Sequence, residues 1–170
     1  KRQDLIRASV LVRLGDQDAA RAIYERLLAD RPDQPQVWQN LGHALKTLGR
    51  QADAVHAYRQ AVHHRPTMGE AWWSLANLKT VKLDAADIAT MERALETLAR
   101  DGQTEGEDVF HLHFSLGKAQ EDRKADEAAF RHYDAGNRLR RAMIRHDAGE
   151  FSAEVAATAT TFSAPFIAAM

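Results

Sequence analysis

Residues 38–66 read WQNLGHALKTLGRQADAVHAYRQAVHHRP, and their skeleton also stands 34 residues earlier. Leu14-Gly15, Ala20, Tyr24 and Pro32 recur as Leu48-Gly49, Ala54, Tyr58 and Pro66. A fixed period of this length marks a chain of stacked supersecondary units, none of which buries its apolar face alone. In the quoted stretch Trp38, Leu41, Leu45 and Tyr58 are large, whereas Gly42 and Ala54 are small. Large side chains fill the space between two antiparallel helices, and small ones let the backbones approach. The second helix of this copy carries Ala54, Ala57, Tyr58, Ala61 and Val62 at i, i+3, i+4, i+7 and i+8. The copy before repeats that stripe with Ala20, Ile23, Tyr24, Leu27 and Leu28, so each second helix presents one apolar face.

Thirty-four residues is the tetratricopeptide period. The expected fold is therefore all-α: a right-handed superhelix of antiparallel helix pairs, followed by an extra C-terminal helix. Repeats fall at about 1–34 and 35–68, with a degenerate copy at 69–102 and a fourth at 110–143. The third begins with Trp72, Leu75 and Ala76, and Thr67 with Glu70 has capping-box spacing at its start. Its second helix leaves the template: Asp84 and Asp87 supply acidic groups, and Ile88, Met91, Leu95 and Leu98 mark an apolar face. Residues 101–108 read as an exposed loop. Leu116-Gly117, Ala129 and Tyr133 then restore the pattern seven residues late. Arg138 to Arg145 extends the last repeat helix, and Asp147-Ala-Gly149 breaks it. These signals make 1–149 a repeat domain and 150–170 a further helix and connector, with Ser152 as N-cap and Phe151 as staple.

The chain has 170 residues, 45% hydrophobic and 28% charged, with a formal net charge of −1. No cysteine occurs, which excludes disulfide scaffolds, thiolate metal sites and cysteine nucleophiles. A near-neutral chain gives no concentrated positive field, so no nucleic-acid partner is expected. Residues 155–170 carry no charge but fall short of the roughly 20 strongly apolar residues that span a bilayer. With Phe162, Pro165, Phe166, Ile167 and Met170 they read as an interface, to a further domain or to a second copy in a dimer, and no membrane contact is expected. The opening at Lys1 lacks a signal pattern, and a cytoplasmic setting is the expectation. Glycine-rich phosphate loops are missing, and neither His63-His64 nor His111-Leu-His113 has the spacing of a metal motif. No metal, cofactor or catalytic residue is expected within these residues. Arg138, Arg140, Arg141 and Arg145 read as a solvated helical face.

The concave face of a helical-repeat stack is its binding surface. In tetratricopeptide families the groove-facing positions are the second, fifth, ninth, twelfth and thirteenth of each copy. The resemblance places Gln36, Gln39, His43, Lys46 and Thr47 beside Glu70, Trp73, Asn77 and Thr80. Trp73 is the candidate anchor for a bound peptide, since an exposed tryptophan beside hydrogen-bonding groups is the mixture that hot spots use; the alternative is that it packs against a neighbouring helix. These side chains do not reproduce the lysine and asparagine set of the carboxylate-clamp repeats.

Three blocks carry a narrower resemblance: Ala71-Trp-Trp-Ser-Leu-Ala-Asn-Leu-Lys79, Asp84-Ala-Ala-Asp-Ile-Ala-Thr-Met91 and Phe110-His-Leu-His-Phe-Ser-Leu-Gly-Lys118. With Ala128-Ala-Phe130, His132-Tyr133 and Gly136-Asn137-Arg138 they resemble bacterial tetratricopeptide-repeat sulfotransferases, from about Pro35 to Phe166. The resemblance implies a repeat module preceding an α/β domain that binds 3′-phosphoadenosine 5′-phosphosulfate through a Gly-x-Pro-Arg-Ser-Gly-[Ser/Thr] loop. That loop does not occur in this chain, so no catalytic residue carries over and the chain alone is expected not to catalyse. Its expected role is to hold a protein or peptide for a sulfotransferase domain in cis. The alternative is a stand-alone adapter for protein-complex assembly. Lys124-Ala125 departs from the family, which usually turns there with glycine and an aromatic residue.

Overall fold

The computed structural model describes residues 2–144, 148–162 and 164–168. Among them the chain is helical, without strands: α1 (Arg2–Arg13), α2 (Gln17–Asp30), α3 (Pro35–Thr47), α4 (Gln51–His64), α5 (Gly69–Ala76), α6 (Ala85–Arg100), α7 (Glu107–Asp122), α8 (Asp126–Met143), α9 (Ala148–Thr161) and α10 (Ala164–Ala168). Local sequence sets several of the starts. Asp16 accepts the Ala19 N–H ahead of α2 at 3.0 Å. Pro35 opens α3, where its missing N–H leaves no bond unmade. Asp84 and Asp87 exchange backbone and side-chain bonds of 2.9 and 3.1 Å in a capping box at α6.

The start of α5 obeys tertiary packing instead. Its N-cap is Met68 with no side-chain cap, so the expected pairing of Thr67 with Glu70 does not form. The Gly69 N–H donates to Asp108 Oδ1 of α7 at 2.9 Å. A Cβ at position 69 would lie 2.0 Å from the Asp108 carbonyl oxygen, so only glycine fits this approach.

The chain divides into two compact units, Lys1–Leu139 and Arg140–Met170. In the first, α1 packs on α2, α2 on α3, α3 on α4 and α4 on α5, while α5 and α6 both pack on α7. One continuous core runs through Tyr24, Leu41, Tyr58, Leu75, Met91 and Leu116. Copies two and four share one construction: Gly42 lies against the ring of Tyr58, and Gly117 against that of Tyr133. Copies two and three share another, in which the Trp38 indole N–H donates to the Pro32 carbonyl at 2.7 Å and Trp72 to Pro66 at 2.8 Å.

The third copy is where the pair geometry breaks. Helix α5 has 8 residues against 13 in α3, and the chain leaves it through Lys79, whose φ is 61°. Helix α6 is tied to α4 by a two-pronged pair from Arg59 to Asp87, one contact of which spans 2.9 Å. Helices α5 and α7 run side by side in the same direction, Gly69 meeting Asp108 near their starts and Trp73 meeting Phe114 further along. At the turn before α8, Lys124 holds φ 59°, where Gly49 of copy two holds φ 74°. That answers the departure noted in the sequence: a lysine occupies a left-handed position.

In the second unit α9 begins at Ala148, so Ser152 lies inside the helix and is not its N-cap. Glu150 supplies the acidic group of the first turn. Phe151, Val155, Phe162, Phe166 and Ile167 are exposed, and the Phe162 and Phe166 rings meet edge-on at 5.7 Å. Arg145, Asp147, Met170 and the Pro165 side chain, all named from the sequence, lie outside the described residues. Among the described residues no helix is long and apolar enough to cross a membrane.

Candidate functional site

Repeat register places the second and fifth positions of successive first helices next to each other. In α3 these are Gln36 and Gln39, and in α5 they are Glu70 and Trp73. The offset that equates Gly42 with Gly117 gives His111 and Phe114 in α7. The structure joins these six residues into a ladder. Gln36 Nε2 donates to Gln39 Oε1 at 3.3 Å, and Gln39 also lies close enough to the Glu70 carboxylate to favour its charged form. Trp73 and Phe114 pack with ring centroids 5.8 Å apart in a tilted arrangement. His111 lies near Glu70 and packs on Phe110 at 4.2 Å.

His43, at the ninth position of α3, ties the ladder to the core. Its Nδ1 lies 2.9 Å from the Tyr58 hydroxyl, and its Nε2 lies 3.4 Å from Gln39 Nε2 and 3.6 Å from Glu70 Oε1. The contact with His43 holds the Glu70 carboxyl down to about 2, with partial burial opposing and Gln39 assisting. Burial pushes the Tyr58 phenol up to about 12 against a hydrogen bond with Ser74. Burial also lowers His111, while Glu70, Glu107 and Asp108 pull it the other way. The His111 Nδ1 is buried with no hydrogen-bond partner.

The predicted groove residues thus fall into two groups. Gln36, His43, Glu70 and Trp73 converge with Gln39, although Gln39 itself is 1% exposed and acts as the buried strut beneath them. Lys46, Thr47, Asn77 and Thr80 are exposed; the Thr47 hydroxyl donates to the His43 carbonyl at 3.0 Å and the Asn77 N–H to the Trp73 carbonyl at 2.9 Å, both along their own helix, and no side chain of the four is tied to a ladder side chain. The Thr80 hydroxyl instead takes a bond from Gln51 of α4. Trp73 is only half-exposed because Phe114 covers part of it; it is both a packing residue and a surface. The register of the fourth copy was the signal for His111 and Phe114, and the seven-residue displacement hid it.

The structural positions behave as the repeat requires: Leu41, Ala54, Tyr58, Trp72 and Leu116 are buried, and Trp38 is partly so. In copy four His113 stands where Trp38 stands in copy two, and its Nδ1 lies 3.1 Å from His132 Nδ1 of α8. Among the described residues no group of three or more histidine or carboxylate side chains is placed to hold a metal ion. On another side of the stack, a cleft of about 400 Å³ opens between α2, α3 and α4 over Leu28, Leu41 and Leu45. Its lining holds Arg50 and Asp53, paired with each other at 2.7 Å, and Glu25, which Arg21 holds at 2.8 Å.

Residues 2–44 match one model of the tetratricopeptide repeat and residues 35–63 match another. No curated protein matches the sequence. Among solved structures, BtubC (BKLC) from P. vanneervenii is similar over 85% of this chain and 67% of its own, with 20% identity and a TM-score of 0.61. MamA MSR-1 is 21% identical over 83% of this chain and 77% of its own, with a TM-score of 0.54. MamA AMB-1 is 22% identical over 84% and 78%, with a TM-score of 0.55. These likenesses establish the architecture: an all-α stack of tetratricopeptide helix pairs.

Proposed function

We propose that this stack of tetratricopeptide repeats is a protein-interaction scaffold that receives an extended peptide along α3, α5 and α7. The carrying observation is the ladder from Gln36 to Phe114, where an aromatic pair lies beside hydrogen-bonding groups fixed to the core through Tyr58. Rigid aromatic area flanked by oriented polar groups is what peptide hot spots use. Photo-crosslinking from Asn77, with Asp53 in the outer cleft as control, tests this. A peptide selected from a random library should link at position 77 and not at 53; the reverse would sink the proposal.

The finer reading makes this chain the acceptor-presenting arm of a sulfotransferase whose catalytic domain lies in cis. What supports it is the similarity of the blocks 71–79, 84–91 and 110–118 to that family, blocks that carry α5, the capped start of α6 and α7. The donor, 3′-phosphoadenosine 5′-phosphosulfate, does not fit these residues. A glycine-flanked helix start occurs at Gly106, but Glu107 and Asp108 follow it and would repel phosphate. Sulfuryl transfer is therefore assigned to the cis domain, in a cytoplasmic setting, and the isolated chain should release no labelled sulfate to any acceptor. Transfer by the isolated chain would refute that division. A stand-alone adapter is the second reading, favoured if the apolar residues of α9 and α10 close back as a cap and leave the isolated chain monomeric, whereas a dimer through them favours the cis domain. Light scattering of the isolated chain before and after Phe162→Ser and Phe166→Ser reads that state.

A further inference from the structure

The ladder carries one full charge of its own, the Glu70 carboxylate, and its side chain is 50% exposed. Its nearest neighbour across α3 is His43, which compensates that charge only when protonated. Gln36, Gln39, Trp73 and Phe114 bring none. The cations along the same first helices are kept apart from it: Lys118 is held by Asp122 and Glu121, and Lys46 lies a helical turn beyond His43. Glu107 adds a second carboxylate near His111. One helical turn from Glu70, the Trp73 and Phe114 rings stand 5.8 Å apart, half-buried.

An anionic oxygen beside a half-open indole has a definite chemical complement. A planar cation stacks on the ring face, gaining from its quadrupole, and directs its N–H fork at the carboxylate. A compact ammonium satisfies the charge but matches the ring less well, and a carboxylate-bearing segment is repelled. From this juxtaposition, and resting on the peptide-scaffold function proposed above, we infer that the segment bound by α5 and α7 is basic, anchored by an arginine whose guanidinium lies on Trp73 and pairs with Glu70. The polarity is opposite to that of repeats that grip a terminal carboxylate.

The test is selection of a random dodecapeptide library on the immobilised full chain, in parallel with Glu70→Gln and, as a charge-matched control in the outer cleft, Asp53→Asn. Glu70→Gln keeps the side-chain shape and an acceptor for Gln39 while removing the charge. The wild type and Asp53→Asn should enrich arginine at one register position, and replacing that arginine with norleucine should weaken binding about tenfold, with lysine between. Glu70→Gln should abolish the arginine preference and leave helicity unchanged. Peptides that crosslink at position 77 without arginine enrichment overturn the basic-anchor inference while sparing the scaffold. Arginine peptides that bind Glu70→Gln and wild type alike also overturn it. Failure of any peptide to crosslink at position 77 overturns both.

Discussion

Lys124 is a lysine in a glycine's place. At the equivalent turn of copy two Gly49 has φ 74°, and Lys124 holds φ 59°. An L-residue with a Cβ costs about 1 kcal/mol or more there. Lys124→Gly should therefore stabilise the chain by about 0.5–1 kcal/mol in urea denaturation, and Gly49→Lys should destabilise it by a similar amount. Equal midpoints for all three proteins would show that the turns relax freely. Buried imidazoles set the acid response. Burial keeps His113 and His132 below the ordinary value of 6.5, and each is further lowered by a neighbour, His132 for the first and Arg131 for the second. Their neutral forms are favoured by folding, so the unfolded chain takes up protons first. Stability from these groups is complete above pH 6.5 and declines as pH falls through that value towards their folded pKa values. His113→Gln with His132→Gln should flatten the fall in melting temperature between about pH 7 and 5. An undiminished fall would place the acid sensitivity elsewhere.

Helix α6 depends on polar fastenings more than its sequence stripe suggests. Asp84 caps it, and Asp87 both returns the cap and receives Arg59 of α4, with the Asp87 side chain 12% exposed. Asp84→Ala should cost about 1 kcal/mol, as lost caps do. Arg59→Met leaves that carboxylate buried beside α4 without its cation and should cost about 3 kcal/mol. Hydrogen exchange should speed first within 85–100; uniform acceleration across the stack would mean that the pair anchors the whole core. The apolar face of α6 was legible in the sequence, since Ile88, Met91 and Leu98 are buried as their spacing implies. The fastening was not, because nothing at Arg59 distinguishes it from a solvated helical arginine until α6 is folded beside it. The start of α5 was illegible for the same reason: Asp108, 39 residues away, provides the acceptor that Thr67 does not.

Over the whole molecule, a repeat stack gains stability from neighbour contacts, so its ends should open before its middle. The unit Lys1–Leu139 holds every buried residue described, and α9 has none. Residues 148–162 should thus exchange amide hydrogens well before α3 and α4, in native-state exchange read by mass spectrometry. Comparable protection in both would contradict the burial pattern. The architecture was readable because the 34-residue period links copies one and two, and the 16-residue spacing of the Gly42–Tyr58 contact returns in Gly117–Tyr133. Half of the candidate site was readable too, since the same register gives Gln36, His43, Glu70 and Trp73. The rest, His111 and Phe114, needed the displaced fourth copy to be carried onto the same face. Gln39, expected on the groove surface, lies beneath it, because register alone does not report depth.

In the function proposed above, the ladder on α3, α5 and α7 is the peptide-binding face. Hydrogen exchange of the full chain with and without a library-selected peptide tests it most directly. Protection should rise across residues 36–47, 70–77 and 111–118. Protection confined to the cleft over Leu28 and Leu45, or to α9 and α10, would contradict it.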